Sequence, residues 1–333
     1  MKKEYTLSQQ FAIICLDGQS CIHRSAAKSA AVRGIAAAAL LEELLPKEED
    51  TDISPTKQLE MAEKFQKKLE SGMTEIKRMN GKKLGAVEKN AANLLLADGG
   101  IEIVPDLLGC DMNYYTAEIT MKSYRSDRDI YLSIVESVRG EILEDGPVTL
   151  ECICLLWLMR ESGCLHELFS TQEQERIQER LVALCTQSSA NSKYMDSGNS
   201  EKREEQEMAD KSYINIIWKQ EFHKTVEQTI KSCLKGKREI FKNPYLEGIN
   251  LWFPFLDRRQ AIFIDFVVLG TTVKERRQAV TDFLVKNGHH VEEVKSGTET
   301  LLRVDNAYYR IWPKTVRSGR IPIQGANLQP VYR

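Results

Sequence analysis

The sequence predicts a mainly α-helical N-terminal domain at residues 1–187, a charged linker at residues 188–212 and a small α+β domain at residues 213–333. Apolar residues recur at helical spacing through the first part. The linker is rich in Ser, Asn, Glu and Lys and has almost no large apolar residue. The last part alternates short apolar runs with turn-forming pairs, which indicates a mostly antiparallel sheet with helices packed on one face.

The helices of the N-terminal domain follow from apolar spacing and from the residues that stop it. A stripe at steps of three and four residues predicts helices at residues 7–16, 28–45, 55–72, 84–97 and 128–143. Ser54–Pro55 favours a helix start, because proline at the first helical position loses no hydrogen bond. Short β-like segments occupy Ile101–Val104 and Ala117–Tyr124. The domain is therefore expected to be a bundle with a minor strand element.

One helix is expected in the middle of that bundle. It opens at Pro147 and is apolar nearly all round from Cys152 to Met159, which is typical of a buried helix. The next helix begins at Ser170, because Glu173 three residues later completes a capping box. The bundle prediction depends on burial of the segment that follows Pro147.

The α+β domain is predicted to begin with a helix at residues 213–234, followed by strands at 249–255 and 261–269. Thr272 and Glu275 form a second capping box, which opens a helix that ends at Asn287–Gly288. Ser296–Gly297 and Asp305–Asn306 are typical of tight turns between three short strands. The order of elements is helix-β-β-α-β-β-β.

Composition limits the partners and the location of the protein. A net charge of −2 over 333 residues gives no strong field for nucleic acid, which is therefore not expected as a partner. The eight cysteines are irregularly spaced and include no CxxC pair, which favours a reducing cytosol. No apolar run approaches the about 20 residues that a membrane-spanning helix needs. We expect a cytoplasmic protein that could lie on the cytoplasmic face of a membrane.

No set of residues marks a catalytic site or a cofactor site. The phosphate-binding loop, the GxGxxG fingerprint, the GxSxG elbow and the HExxH motif are all missing from the sequence. None of the five histidines has a second ligand type at metal spacing, and His289–His290 on a strand would point to opposite faces. No cofactor and no metal are expected, and the sequence favours binding over catalysis.

Asp265 is the one candidate for an enzymatic role. It interrupts an apolar strand and shares a face with Phe263 and Val267 if the side chains alternate. A carboxylate in that setting needs a partner such as Arg259 or Arg310, or its pKa rises. The structural interpretation is an ion pair or an exposed sheet face, and the functional interpretation is a general base in a cleft.

The end of the chain is basic and forms a candidate anion-binding surface. Arg310, Lys314 and Arg317 lie among aromatic residues, with one aspartate in the stretch from Leu302 to Arg333. Such a surface could meet the phosphates of a lipid or of nucleic acid. It could also be a solvated, proline-broken tail, or pack against an acidic surface of the same protein.

Three stretches resemble the Golgi phosphoprotein 3-like family. They are LSQQFAIICLDGQS from Leu7, AAVRGIAAAALLEELL from Ala30 and VTLECICLLWLMRESGCLHELFSTQEQERIQERL from Val148, and the resemblance covers roughly residues 5–187. It implies a helical-bundle domain, and it implies the binding of phosphatidylinositol 4-phosphate on Golgi membranes, as in the family's eukaryotic members. It does not imply catalysis.

The resemblance places Arg33 at the family's Arg-Gly position, where the arginine helps to hold the lipid phosphate. A guanidinium can meet phosphate oxygens in pairs. The family's aromatic residue before this helix has no counterpart, and Gly146 to Glu151 replace the basic residues ahead of its central helix. Arg24 and Lys28 are the further candidates at this end, with the basic C-terminal strands as a second contact.

The leading interpretation is thus a non-catalytic binding protein that attaches peripherally to anionic lipid headgroups. A protein-interaction or scaffold module, with a protein partner or a second copy of the chain, is the alternative. An enzyme with its site around Asp265 is the third interpretation.

Overall fold

The computed structural model describes residues 4–45, 55–186, 222, 224–234, 259–265, 272–295, 300–318 and 321–331. The helices are α1 (Leu7–Leu16), α2 (Ala26–Leu44), α3 (Pro55–Lys77), α4 (Gly81–Ala97), α5 (Met112–Tyr115), α6 (Arg128–Leu143), α7 (Leu150–Ser162), α8 (Leu165–Leu168), α9 (Thr171–Thr186), α10 (residues 224–234) and α11 (Val273–Lys286). The strands are β1 (Ile101–Pro105), β2 (Lys122–Ser126), β3 (Ile262–Asp265), β4 (Val291–Lys295), β5 (Thr300–Val304), β6 (Ala307–Ser318) and β7 (Ile321–Val331), and Leu107–Cys110 is a 3₁₀ turn. A helical region is followed by an antiparallel sheet region, which confirms the coarse prediction.

The ends of the helices are set by side chains that bind the unpaired amides of the first turn. Thr6 and Gln9 form a capping box at α1, and Ser25 caps α2 through the amide of Lys28. The central helix begins at Leu150, because Thr149 accepts the amide of Cys152. Its predicted opening at Pro147 is therefore three residues early. The capping box of Ser170 and Glu173 is confirmed at α9.

The core of the helical region is built around α7. Every side chain from Cys152 to Met159 is buried, and α7 packs against α1, α2 and α6. Around it lie the apolar faces of the neighbours, including Phe11, Leu41 and Ile142, which are fully buried. The prediction that this helix is the innermost member of the bundle is confirmed.

Helix α10 belongs to the same core. Val226 and Ile230 are fully buried among the helical-region side chains, and the Phe222 ring lies 5.1 Å from that of Phe65 on α3. The sequence interpretation grouped this helix with the α+β domain, whereas its apolar face packs on the helical bundle. The boundaries at residues 187 and 212 stay predictions.

Among the described residues, the sheet region has five strands in the order β3-β7-β6-β5-β4, and every neighbouring pair is antiparallel. Helix α11 covers one face through Val280 and Leu284. The Thr272–Glu275 capping box and the Asp305–Asn306 turn are confirmed, the latter joining β5 to β6. The predicted strand at 249–255, the end of the strand at 261–269 and the Ser296–Gly297 turn lie outside the described residues.

A segment of the helical region completes the core of the sheet region. Strands β1 and β2 pair as a short hairpin, and the 3₁₀ turn between them places Cys110, Leu107 and Leu108 against the sheet core. Strand β2 begins later than the predicted Ala117, because α5 and its following turns occupy residues 112–119. The two regions are thus in direct contact along this segment.

No helix among the described residues is both long and apolar enough to cross a membrane. Cysteines 15, 21, 110, 152, 154, 164 and 233 are free thiols. Burial raises the pKa of the Cys152 thiol to about 12, so this cysteine behaves as a small apolar side chain.

Candidate functional site

A cavity of about 410 Å³ lies where the helical region meets the sheet region, and we call it the junction cavity. The α1–α2 loop, the segment from β1 into the 3₁₀ turn, and strand β2 line one side. Residues of β3, β5 and the β5–β6 turn line the other. Its apolar lining side chains are Val104, Leu107, Leu108, Met121, Ile262 and Val304, and its tyrosines are Tyr114, Tyr124 and Tyr309. The cavity has apolar walls with charged groups around them.

Arg259 holds the two regions together beside this cavity. Its Nη2 donates to Asp17 Oδ2 at 2.6 Å and its Nε lies 3.3 Å from Glu167 Oε2, and the residue is 8% exposed. Burial opposes the charge, but the carboxylates of Glu167 and Asp17 raise the pKa of Arg259 well above its ordinary value. Gly18 has a φ of 68°, and a Cβ there would collide with the Arg259 guanidinium. A buried cation therefore joins the end of α1 to the sheet region.

The carboxylate of Asp17 accepts hydrogen bonds from several donors. Besides Arg259, it accepts the amide of Ser126 and the Nδ2 of Asn306, each at 2.9 Å. Asn306 also donates to the carbonyl of Ser126 at 3.0 Å. The charge of Asp17 is thus neutralised and its oxygens are engaged.

A second charged network surrounds Asp305, at the β5–β6 turn. Arg125 Nη1 lies 3.0 Å from Asp305 Oδ1 and donates to the carbonyl of Gly288 at 2.9 Å. His289 Nδ1 lies 2.8 Å from Asp305 Oδ2. Burial disfavours the carboxylate, but the hydrogen bond and charge of His289, together with Arg125, lower the pKa of Asp305. Asp305 is therefore neutralised as well.

The mouth of the cavity carries the residues that precede α2. His23 and Arg24 are exposed, and Arg24 donates to the carbonyl of Gly81. Ser25 caps α2 through the amide of Lys28 at 2.9 Å, which leaves the amides of Ala26 and Ala27 without an intrahelical acceptor. The start of a 19-residue helix and two basic side chains thus meet at one edge of the cavity.

Two further polar side chains line the cavity. Asp106 is half-buried and accepts the amide of Leu108 at 2.9 Å. Burial raises the pKa of its carboxyl above the ordinary value, against the effect of that hydrogen bond. Gln19 is 4% exposed, and its Nε2 has no hydrogen-bond partner within the part of the chain that the structure describes. A buried donor without an acceptor is unfavourable, and a ligand could supply the acceptor.

Lys28, one of the predicted anion-binding residues, is turned into the protein. It is 2% exposed, its Nζ lies 2.6 Å from Glu88 Oε1, and it donates to the carbonyl of Ser20. The Tyr124 hydroxyl donates to the same Glu88 oxygen at 3.2 Å. The interpretation of Lys28 as an anion-binding residue is therefore corrected, because it serves to fix the α1–α2 loop.

Arg33 lies on α2 and is not in the lining of the junction cavity. It is half-buried, and its Nε has no hydrogen-bond partner among the described residues. Burial raises the pKa of Cys233 on α10 to about 11, while the charges of Arg33 and Lys77 act in the opposite direction. The position that the family resemblance assigned to a lipid phosphate is thus next to a helix of this chain.

The basic residues of β6 form no common site with the residues at the cavity mouth. Arg310 and Lys314 share one face of the strand, whereas Arg317 shares the other face with buried Tyr309. Lys314 Nζ lies 3.4 Å from Asn327 Oδ1. Of the six predicted residues, the structure places Arg24 alone in the lining of the junction cavity.

Asp265 is not in the lining of the junction cavity. It is half-buried on β3 opposite Gly325 of β7, and Arg259, its suggested partner, is paired with Asp17 and Glu167 instead. Across the described ranges, no cluster of three His, Cys, Asp or Glu side chains has the arrangement of a metal site.

Sequence reasoning did not find the residues that shape this cavity. Asp17 and Arg259 are 242 positions apart, so no local pattern links them. The Asp17–Gly18 pair directly follows the predicted helix at residues 7–16, and its glycine was the available signal of a close approach. Comparison with protein-family models, with known proteins and with solved structures finds no match to this chain. A functional assignment therefore depends on the geometry of the junction cavity.

Proposed function

We propose that the protein is a non-catalytic binding protein that holds an anionic group of the phosphate type at the mouth of the junction cavity. One observation carries this proposal: His23, Arg24 and the start of α2 lie together at one edge of the cavity. Helix starts attract anions through their free amides, and arginine donates paired hydrogen bonds to phosphate.

Two of the three carboxylates in the cavity wall do not oppose such an anion strongly. Asp17 is neutralised by Arg259, and Asp305 by Arg125. Arg24, by contrast, donates to a carbonyl, which leaves its positive charge uncompensated by that contact. The same engagement of the carboxylates favours binding over acid–base catalysis, since both groups are already held by hydrogen bonds.

The phosphate could belong to a membrane lipid or to a soluble molecule. The resemblance to the Golgi phosphoprotein 3-like family supports a phosphoinositide headgroup as the class of ligand, but the phosphate position that it assigns, Arg33, is not in the lining of the junction cavity. The cavity behind the mouth supports a ligand with further atoms to bury. Both sources share the same chemistry at His23 and Arg24, and experiment can separate them.

The test compares vesicles with soluble anions for the full chain at low salt. Vesicles of phosphatidylcholine with and without phosphatidylinositol 4-phosphate are sedimented with the protein, and inorganic phosphate and inositol phosphates are titrated by calorimetry. Replacing His23 and Arg24 together by Gln should weaken binding to every anion at least about tenfold, since hydrogen bonds to charged groups contribute about 1.5–3 kcal/mol each.

The matched control is the double variant Arg310→Gln with Arg317→Gln, which removes two exposed cations from β6 and leaves the cavity mouth unchanged. Wild-type affinity for anions is expected there. Binding of soluble anions without vesicle binding would identify a soluble ligand. Loss of binding in the β6 variant but not in the mouth variant would overturn the proposal, as would indifference of the wild type to every anion, which favours the protein-interaction alternative.

A further inference from the structure

We infer that the junction cavity binds a soluble phosphate ester of a heterocyclic base, with the phosphate at His23 and Arg24 and the ring inside against Gln19. This inference extends the proposed function, because the phosphate position is the same. It adds the chemical class of the whole ligand, which is a nucleoside monophosphate.

The first support is the unsatisfied amide of Gln19. A buried amide nitrogen without an acceptor is unfavourable, and an acceptor on a ligand would remove that cost. Gln19 lies on the cavity wall, and its backbone is fixed on both sides, by its amide bound to Leu16 and its carbonyl bound to Tyr124. The side chain is therefore held at the wall by a rigid main chain.

Asp106 supplies a second hydrogen-bonding group to the same cavity. Leu108 donates to Oδ1, and the carboxyl has a second oxygen that can accept or, when protonated, donate. An amide donor and a carboxyl group on one wall match the donor and acceptor edge of a heterocyclic base. A simple acyl chain offers neither an acceptor for Gln19 nor a donor for Asp106.

The apolar walls are the third support. Leu107, Leu108, Ile262 and Val304 line the cavity and pack in or against the sheet core, so a flat apolar body could bury its faces there. A volume of about 410 Å³ is within the range of about 300–1,000 Å³ that is usual for small-molecule sites. A phosphate ion or a small polyol would leave the half-buried side chains of Leu107 and Leu108 uncovered.

The experiment is calorimetry of the full chain with three kinds of probe. They are the four common nucleoside monophosphates, the corresponding nucleosides and inorganic phosphate. At least one monophosphate should bind about tenfold or more tightly than both its nucleoside and inorganic phosphate. Gln19→Leu, which keeps the size of the side chain and removes its amide, should weaken that monophosphate about tenfold and leave inorganic phosphate unchanged. Gln66→Leu, at an exposed glutamine of α3, is the control and should bind as the wild type does.

The outcomes separate this inference from the proposed function. Equal affinity for inorganic phosphate and all monophosphates overturns the inference and retains the anion site at the mouth. Tight monophosphate binding that survives Gln19→Leu, with an unchanged melting temperature, also overturns it. Failure of every probe to bind the folded wild type overturns this inference, and it overturns the proposed function as well if vesicles with phosphatidylinositol 4-phosphate also fail to bind.

Discussion

The helical core and the junction between the two regions are held together by different forces. Around α7, buried side chains from Cys152 to Met159 meet other apolar groups, and close packing provides the stability. At the junction, Arg259, Asp17 and Asp305 are charged, and each is stabilised by named partners. A core of the first kind tolerates changes that keep its volume, whereas a buried charge network fails when one member is lost.

The largest effect is expected from Arg259→Leu. It leaves Asp17 and Glu167 as buried carboxylates without their cation, which costs about 3–5 kcal/mol in the free energy of unfolding. Urea denaturation measures the loss. Arg303→Leu is the control, because the ion pair of Arg303 is with Glu292, which is more than half exposed, and should contribute at most about 1 kcal/mol. Equal losses in the two variants would contradict a junction held by buried charge.

A somewhat smaller loss is expected in the helical core. Leu155→Ala removes a side chain that is 2% exposed, and the cavity left behind should lower the free energy of unfolding by about 3 kcal/mol. The same change at Leu132, which is 37% exposed on α6, should cost under about 1 kcal/mol. A loss at Leu132 as large as that at Leu155 would show that α7 is not the centre of the bundle.

Asp305→Asn tests the second network through its pH dependence. The pKa of Asp305 is lowered in the folded protein, so its contribution is present above its unfolded pKa of about 4 and is lost as the pH falls through the folded value. The variant should lose about 1–3 kcal/mol at pH 7 and should show a weaker decline in melting temperature from pH 5 to pH 3. Asparagine tolerates the positive φ of this turn residue. An equal decline in melting temperature from pH 5 to pH 3 in the variant and the wild type would contradict a stabilising role for the ionised Asp305.

The smallest effect is expected at Asp106, and it concerns binding. Burial raises its pKa, so the carboxyl gains its charge at a higher pH than an ordinary aspartate and then repels an anion at the mouth. Sulfate affinity should therefore fall about threefold more in the wild type than in Asp106→Asn between pH 4.5 and pH 7. Both proteins keep His23, so the difference between their calorimetric titrations isolates Asp106. Identical pH profiles would place Asp106 outside the anion site.

The sequence predicted the helical core well because its signals are local. The bounds of α1 and α6 agree with the predicted residues 7–16 and 128–143, since apolar spacing and capping residues lie within a few positions of each other. The buried place of α7 follows from its apolar composition. The capping box at Thr272 predicted the start of α11 for the same reason.

The buried charged contacts and the junction cavity could not be predicted in this way, because their partners are distant in the sequence. Lys28 and Glu88 lie on different helices, and nothing near Lys28 indicates that its charge is buried. A basic residue at the start of a helix was taken as exposed on general grounds. The cavity likewise requires the β5–β6 turn to meet the end of α1, which only the tertiary fold determines.

Each of the two regions has a core that is completed by a segment from the other part of the chain. Helix α10 follows the predicted linker in the sequence but packs on the helical bundle beside Phe65. The 3₁₀ turn at Leu107–Cys110 packs against the core of the sheet region. Shortening the chain to residues 1–187 would expose apolar side chains of α3. Isolating the sheet region would remove side chains that complete its core. We therefore expect fragments cut at residue 187 to aggregate where the whole chain does not.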